Sequence, residues 1–165
     1  MKAKFNKRLY HSFGEFTADL REILSHRRQI KVLMGGNPIS PSFRERLMLA
    51  VTEVNGCRYC NYYHSKLALE AGISTQELAE IGAKSFASSP QEEQPALLYA
   101  QHWAEHNAQP DPDALQRIQH IYGEETTELI HLSMRMIRVG NLTGNLLDYV
   151  LFKLTFGRVG GRASA

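Results

Sequence analysis

Cysteine is scarce in this sequence: the only two among its 165 residues are Cys57 and Cys60. Small secreted scaffolds depend on several disulfide bridges, so that class of protein is excluded. A chain of this length can bury enough apolar surface to fold as one domain without any bridge. In a reducing compartment, an isolated C-x-x-C pair indicates either a redox-active dithiol or half of a metal site.

Long apolar runs and an excess of charge of either sign are also absent. The chain has 19 Lys and Arg residues against 17 Asp and Glu, a net charge of +2, which excludes a dedicated nucleic-acid binder. No apolar run approaches the ~20 residues of a membrane helix. The basic N-terminus is not followed by the apolar stretch of a signal peptide. The sequence therefore predicts a soluble, cytoplasmic protein that binds neither nucleic acid nor membrane.

Helix signals extend along the whole chain, and no strand-like run is bounded by hairpin turns. An apolar stripe at helical spacing covers residues 10–33. Further helix starts and stops are marked by caps, prolines and glycines. These predict helices from Ser40-Pro41 to Asn55-Gly56, from Cys57 to Gly72, from Ser74 to about Phe86, and after Ser89-Pro90 and Asp111-Pro112. The sequence predicts an all-α fold, with a single domain of about six to eight helices.

The segment from Thr126 to Phe156 is apolar on more than one face of its predicted helix. A helix that is apolar all round must be buried, and a small domain cannot cover one of this length alone. The segment therefore predicts that subunits associate. The glycine-rich residues 157–165 are predicted to be a flexible tail.

Cys57, Cys60 and His64 are spaced so that they share one face at the start of a helix. Two thiols three residues apart can form a disulfide, and the helix N-terminus stabilises a thiolate. His64 lies one turn after Cys60 and can take its proton. Two other interpretations stay open at this point: buried structural cysteines, or a zinc site, since C-x2-C-x3-H offers three ligands.

The combined motif resembles the carboxymuconolactone decarboxylase superfamily, and within it the AhpD-like alkylhydroperoxidases. The shared pattern is a Glu, eleven residues, C-x-x-C, three residues and His, which Glu45, Cys57, Cys60 and His64 match at every position. The resemblance is dense over residues 41–85 and looser beyond them. It predicts an N-terminal helical extension over 1–38, followed by an AhpD-like domain over 39–156.

The resemblance implies an all-helical fold assembled into homo-trimers or homo-hexamers, with no metal, flavin or other cofactor in the subunit. It implies a thiol-dependent enzyme that reduces hydroperoxides or the disulfide of a partner, with a dithiol reductant or a peroxiredoxin as its partner. Decarboxylase members typically lack the cysteine pair, so the lactone reaction is not expected.

The resemblance also assigns roles: Cys57 and Cys60 are the redox pair, and His64 with Glu45 forms the proton relay. Glu53 is the second choice for the carboxylate. Attack by Cys60 is expected, although the helix dipole would favour Cys57. The chain departs from the family in one place, since Tyr59 stands where the best-known members have a His. The alternative function is a non-catalytic helical scaffold that senses redox state or holds zinc.

Overall fold

The computed structural model describes residues 4–161. Seven helices and no strand are found in this range, so the predicted all-α class and helix number are confirmed. The helices are α1 (Phe13–Ser25), α2 (Arg27–Gly35), α3 (Pro41–Asn55), α4 (Arg58–Glu70), α5 (Thr75–Gly82), α6 (Gln94–Glu105) and α7 (Pro112–Leu154).

Three helices begin at the caps that the sequence predicts. The side chain of Ser40 accepts the peptide N–H of Phe43 at the start of α3, and Asp111 does the same for Asp113 at the start of α7. Ser74 caps α5 by accepting the N–H of Glu77. In a complete capping box, the carboxylate of Glu77 would also accept a hydrogen bond from the peptide N–H of Ser74. That carboxylate is instead bonded to Arg46 of α3 and to Ser89, so it ties α5 to the core.

Other helix boundaries differ from the predictions. The stripe over 10–33 is divided into α1 and α2 at His26, whose N–H and Nδ1 both bond to the carbonyl of Glu22 without any Gly or Pro to signal the break. Helix α5 ends at Gly82 instead of near Phe86, because Lys84 adopts a left-handed φ of 59°. Helix α6 begins only at Gln94, since the residues after Ser89-Pro90 form turns.

Helix α3 is the centre of the core. It contacts α4, α5, α6 and α7, and ten of its fifteen residues are buried. Leu47 and Val51 of α3 pack in the same apolar cluster as Leu97 and Trp103 of α6 and Met134 of α7. The side chains that face the core from α3 are therefore fixed by packing on several sides.

Helix α7 is long but not regular throughout. Gly123 interrupts it with φ 76° and ψ 165°, a conformation that only glycine adopts readily. Beyond this point one face is buried against α3, α4 and α6. Four apolar side chains on other faces of its last turns remain exposed in the single chain: Leu146, Leu147, Val150 and Leu154. Association of subunits through them stays a prediction.

The ends of the described chain pack on α7. Lys7 reaches Asp148, and a Cβ atom on Gly160 would lie 2.2 Å from the carbonyl oxygen of Asp148. Residues 162–165 of the predicted tail lie outside the described range. Within residues 4–161, no helix is both long and apolar enough to cross a membrane.

Candidate active site

The turn between α3 and α4 places Cys57 at the start of a helix. Gly56 ends α3 in a left-handed conformation with φ 74°, and Cys57 is the N-cap of α4. Its sulfur accepts the peptide N–H of Cys60 at 3.5 Å. The unpaired N–H groups and the dipole at a helix N-terminus favour negative charge. The turn therefore builds a site for a thiolate at Cys57.

The two thiols lie side by side. Cys57 Sγ and Cys60 Sγ are 3.1 Å apart, and both cysteines are free. Cys57 is fully buried, whereas Cys60 is only partly so. A disulfide requires about 2.05 Å between the sulfurs. The pair therefore needs an approach of about 1 Å to close.

The surroundings separate the acidities of the two thiols. The hydrogen bond that they share lowers the pKa of Cys57 to about 6; burial opposes this, while the N–H groups of Cys60 and Tyr59 and the charge of Lys7 add to it. The same shared bond, burial and the neighbouring Cys57 charge raise the pKa of Cys60, against a hydrogen bond from Asn141. The pair thus holds one proton on Cys60 and the negative charge on Cys57.

His64 and Glu45 form a pair that joins α4 to α3. His64 Nδ1 lies 2.7 Å from Glu45 Oε2, and Glu45 is 2% exposed. Glu53 is engaged elsewhere, by the side-chain amide of Asn61. Burial raises the pKa of Glu53, although the bond from Asn61 acts against this. The structure thus places Glu45, rather than Glu53, against His64.

Within the described residues, the structure shows no hydrogen bond from the histidine to either sulfur. Among the hydrogen bonds of residues 4–161, none joins His64 to Cys57 or Cys60. With Nδ1 directed to Glu45, the second ring nitrogen, Nε2, is left for exchange of a proton. A relay from His64 to the thiols needs an intervening water or a small movement of the ring.

Helix α7 closes the site from the other side with residues that the sequence analysis missed. A Cβ atom on Gly140 would lie 3.6 Å from Cys60 Sγ, and one on Gly144 would lie 2.8 Å from Cys57 Sγ. Asn141, between them, donates to Thr52 Oγ1 and accepts from Asn55 Nδ2. The i, i+4 glycine spacing and the neighbouring asparagine were the only signals of this surface in the sequence.

A charged cluster lies next to Cys57. Asp148 accepts hydrogen bonds from Arg58 Nη2 at 2.8 Å and from Tyr59 Oη at 2.9 Å, and it pairs with Lys7. Tyr59, which the family resemblance would expect to be a histidine, thus contacts an acid of α7. As for metals, no group of three or more His, Cys, Asp or Glu side chains in the described part of the chain could hold an ion.

Comparison with known proteins places these residues in a family. The sequence model of the carboxymuconolactone decarboxylase family matches residues 18–105, a span that contains Glu45, Cys57, Cys60 and His64. No curated protein and no solved structure matches the chain. Since the match covers more than half of its length, the chain belongs to the carboxymuconolactone decarboxylase family.

Proposed function

We propose that this protein is a thiol oxidoreductase of the AhpD-like branch, which reduces hydroperoxides or the disulfide of a partner through Cys57 and Cys60. The observation that carries the proposal is the pair of free sulfurs 3.1 Å apart at the N-terminus of α4. The family contains both decarboxylases and peroxidases, and a dithiol at a helix N-terminus is suited to redox chemistry.

Exposure favours Cys60 as the attacking sulfur. Cys57 is fully buried, so a peroxide or a partner disulfide meets Cys60 first. The low pKa of Cys57 makes it the resting thiolate, so attack by Cys60 requires that the Cys60 proton pass to Cys57 against the difference between their pKa values. The shared hydrogen bond is the path of that transfer, which leaves the thiolate on the accessible sulfur.

The peroxidase cycle then balances in three steps. The Cys60 thiolate attacks the terminal oxygen of the hydroperoxide, the O–O bond breaks, and the alkoxide leaves as an alcohol after taking a proton; Cys60 becomes a sulfenic acid. Cys57 attacks the Cys60 sulfur, the S–O bond breaks, and the hydroxide leaves as water after taking a proton. An external dithiol then reduces the Cys57–Cys60 disulfide and is itself oxidised. A cytoplasmic location would provide such a reductant.

His64 and Glu45 are proposed as the source and acceptor of these protons. The carboxylate fixes the orientation of the imidazole through Nδ1, as carboxylates commonly do for working histidines. Glu45 itself is buried on α3, and its Oε1 lies 3.4 Å from Nε of Arg44. The pair can therefore protonate a leaving alkoxide or hydroxide through a water or after a movement of the imidazole ring.

The decisive experiment is turnover of the purified protein with a panel of hydroperoxides and of protein or small-molecule disulfides, each with a series of dithiol reductants. We expect turnover with at least one oxidant, and loss of it in both Cys57→Ser and Cys60→Ser. Turnover with disulfides alone would identify a disulfide reductase that serves a peroxiredoxin. No turnover, together with bound zinc and slowly reacting thiols, would contradict the proposal and favour the scaffold.

A further inference from the structure

The N-terminal segment brings a buried lysine to the redox site. The side chains of Lys7 and of its partner Asp148 are both fully inaccessible to solvent. Buried lysines are rare, because removing an ammonium from water costs several kcal/mol unless it is paired. This position is therefore a built feature of the fold rather than part of a solvated basic terminus.

Backbone contacts hold the segment against the turn that carries Cys57. The N–H of Arg8 donates to the carbonyl of Asn55 at 3.3 Å. The side-chain amide of Asn145 donates both to the carbonyl of Arg8 and to that of Asn55. Asn55 is the last residue of α3, two positions before Cys57. Lys7 is thus fixed relative to the thiol by the bonds of its neighbour Arg8 to the end of α3 and to α7.

The cluster around Asp148 carries a net positive charge. Burial raises the pKa of this carboxyl, but hydrogen bonds from Lys7 and Tyr59 and the charges of Lys7 and Arg58 lower it overall, so the group is ionised. One anion therefore faces two cations. Asp148 lies one turn after Gly144, which contacts Cys57 Sγ, and Arg58 directly follows Cys57. The cluster therefore lies one helix turn along α7 from the glycine that packs against the buried sulfur.

We propose that Lys7 is a positioning residue of the redox pair: its buried ammonium, held by Asp148 next to the N-terminus of α4, stabilises the Cys57 thiolate and with it the reduced form of the protein. The charge of Lys7 also contributes to the low pKa of Cys57. Stabilising a thiolate makes the corresponding disulfide more oxidising, because the dithiol is the favoured state. The inference rests on the proposed function only in taking Cys57 as the charged sulfur.

The test is a titration of the thiolate by its ultraviolet absorbance in the full chain, which requires no access to the buried sulfur and no substrate. In Lys7→Met we expect the midpoint of Cys57 to rise, by less than about one pH unit, because an opposite charge lowers a pKa and the charge of Lys7 is the smallest of the causes that lower this one. The reduction potential, measured in glutathione buffers, should become lower. Arg8→Met is the matched control, because the guanidinium of Arg8 bonds to Ala104, Glu105 and Asn107 and not to Asp148. The Cys57 midpoint in this variant should equal that of the wild type.

Asp148→Asn gives a test of the opposite sign and covers the case in which Lys7→Met does not fold. Removing the anion leaves Lys7 unpaired; while Lys7 stays protonated, the two cations are in excess and the Cys57 midpoint should fall below that of the wild type. A purely structural disturbance would move both variants in the same direction. Folded Lys7→Met that titrates like the wild type, or an Asp148→Asn midpoint at or above the wild-type value, would overturn the inference. Neither result decides whether the protein turns over peroxides. If the titrations are as expected but no oxidant is turned over, the proposed function is refuted and the role of Lys7 is not.

Discussion

Gly144 of α7 faces Cys57 so closely that no side chain fits between them: a Cβ atom there would lie 2.8 Å from the sulfur. At Gly140, one turn earlier, a Cβ atom would lie 3.6 Å from Cys60 Sγ, an ordinary van der Waals distance. The two glycines share a helix face but leave different amounts of space. Helix α7 therefore constrains the buried sulfur much more tightly than the accessible one.

This difference predicts opposite effects of the same substitution. Gly144→Ala should lower the free energy of unfolding by about 1–3 kcal/mol, because an overpacked site must shift. Gly140→Ala should be neutral or stabilising by up to about 1 kcal/mol, since alanine favours a helix over glycine. Urea denaturation of both reduced variants measures the effect. Equal stability of the two would show that the α7 backbone does not press on Cys57.

Mild oxidation should join Cys57 and Cys60 within one chain. Their sulfurs need to approach by only about 1 Å to reach the bonded distance. Mass spectrometry of the oxidised protein should show the loss of two hydrogens without crosslinked subunits. An unchanged mass after mild peroxide treatment would contradict the redox interpretation, and Cys60→Ser is the control that cannot form the bond.

The Cys57 thiolate should appear at a pH well below that of an ordinary thiol. We expect a titration midpoint near the Cys57 pKa of about 6, and loss of this transition in Cys57→Ser. Because the folded-state pKa lies below the unfolded value of about 8.5, the thiolate stabilises the fold increasingly as pH rises from 6 toward 8.5, and this contribution is lost as pH falls through 6. In Cys60→Ser, the Cys57 transition should remain but move to higher pH, because the bond with the Cys60 thiol is the main cause of the low pKa. A midpoint near 8.5 in the wild type would contradict the assignment.

Removing the histidine should slow the reaction at neutral pH. General acid and base groups contribute typically about 10²–10⁴-fold, so His64→Gln should reduce peroxide consumption at least about tenfold. Glu45→Gln should have a milder effect, since the carboxylate acts through the imidazole. Glu53→Gln is the matched control, because it lies on the same helix but bonds to Asn61. A pH profile of the rate that does not change in His64→Gln would exclude the relay.

The exposed apolar side chains near the end of α7 predict assembly into a trimer or hexamer. Leu147 and Val150 are 54% and 45% exposed in the single chain, next to Leu146 and Leu154. Light scattering should give a mass that is three or six times the 18.7 kDa of the chain. Val150→Glu should weaken the assembly by introducing a charge into a desolvated contact. A stable monomer of the wild-type protein would contradict the prediction.

The sequence predicts well what neighbouring residues determine. The caps at Ser40, Ser74 and Asp111 were found because a cap and the N–H that it accepts lie within three residues. The helix break at His26 was missed, since a histidine that bonds to the preceding turn carries no breaker signal.

The site itself could be predicted only in part. Cys57, Cys60 and His64 share one short segment, whereas the contact of His64 with Glu45 spans two helices and was expected only from the family resemblance. Gly144 and Asp148 belong to a helix far along the chain, and periodicity does not tell which of its faces meets the thiols. The burial of Lys7 is also not predictable from the sequence, because a basic N-terminal segment normally stays in water.

The two ends of the proposed relay lie in parts of the fold that differ in local stability. Glu45 belongs to α3, which is packed by four other helices, whereas Ala68 is the single buried residue within α4. Since the free energy of local opening rises with burial, the amides of α3 should exchange hydrogen with deuterium far more slowly than those of α4. The carboxylate would then stay in place through many turnovers, while the less buried Cys60 makes most of the movement that opens and closes the disulfide against Cys57, which α7 holds.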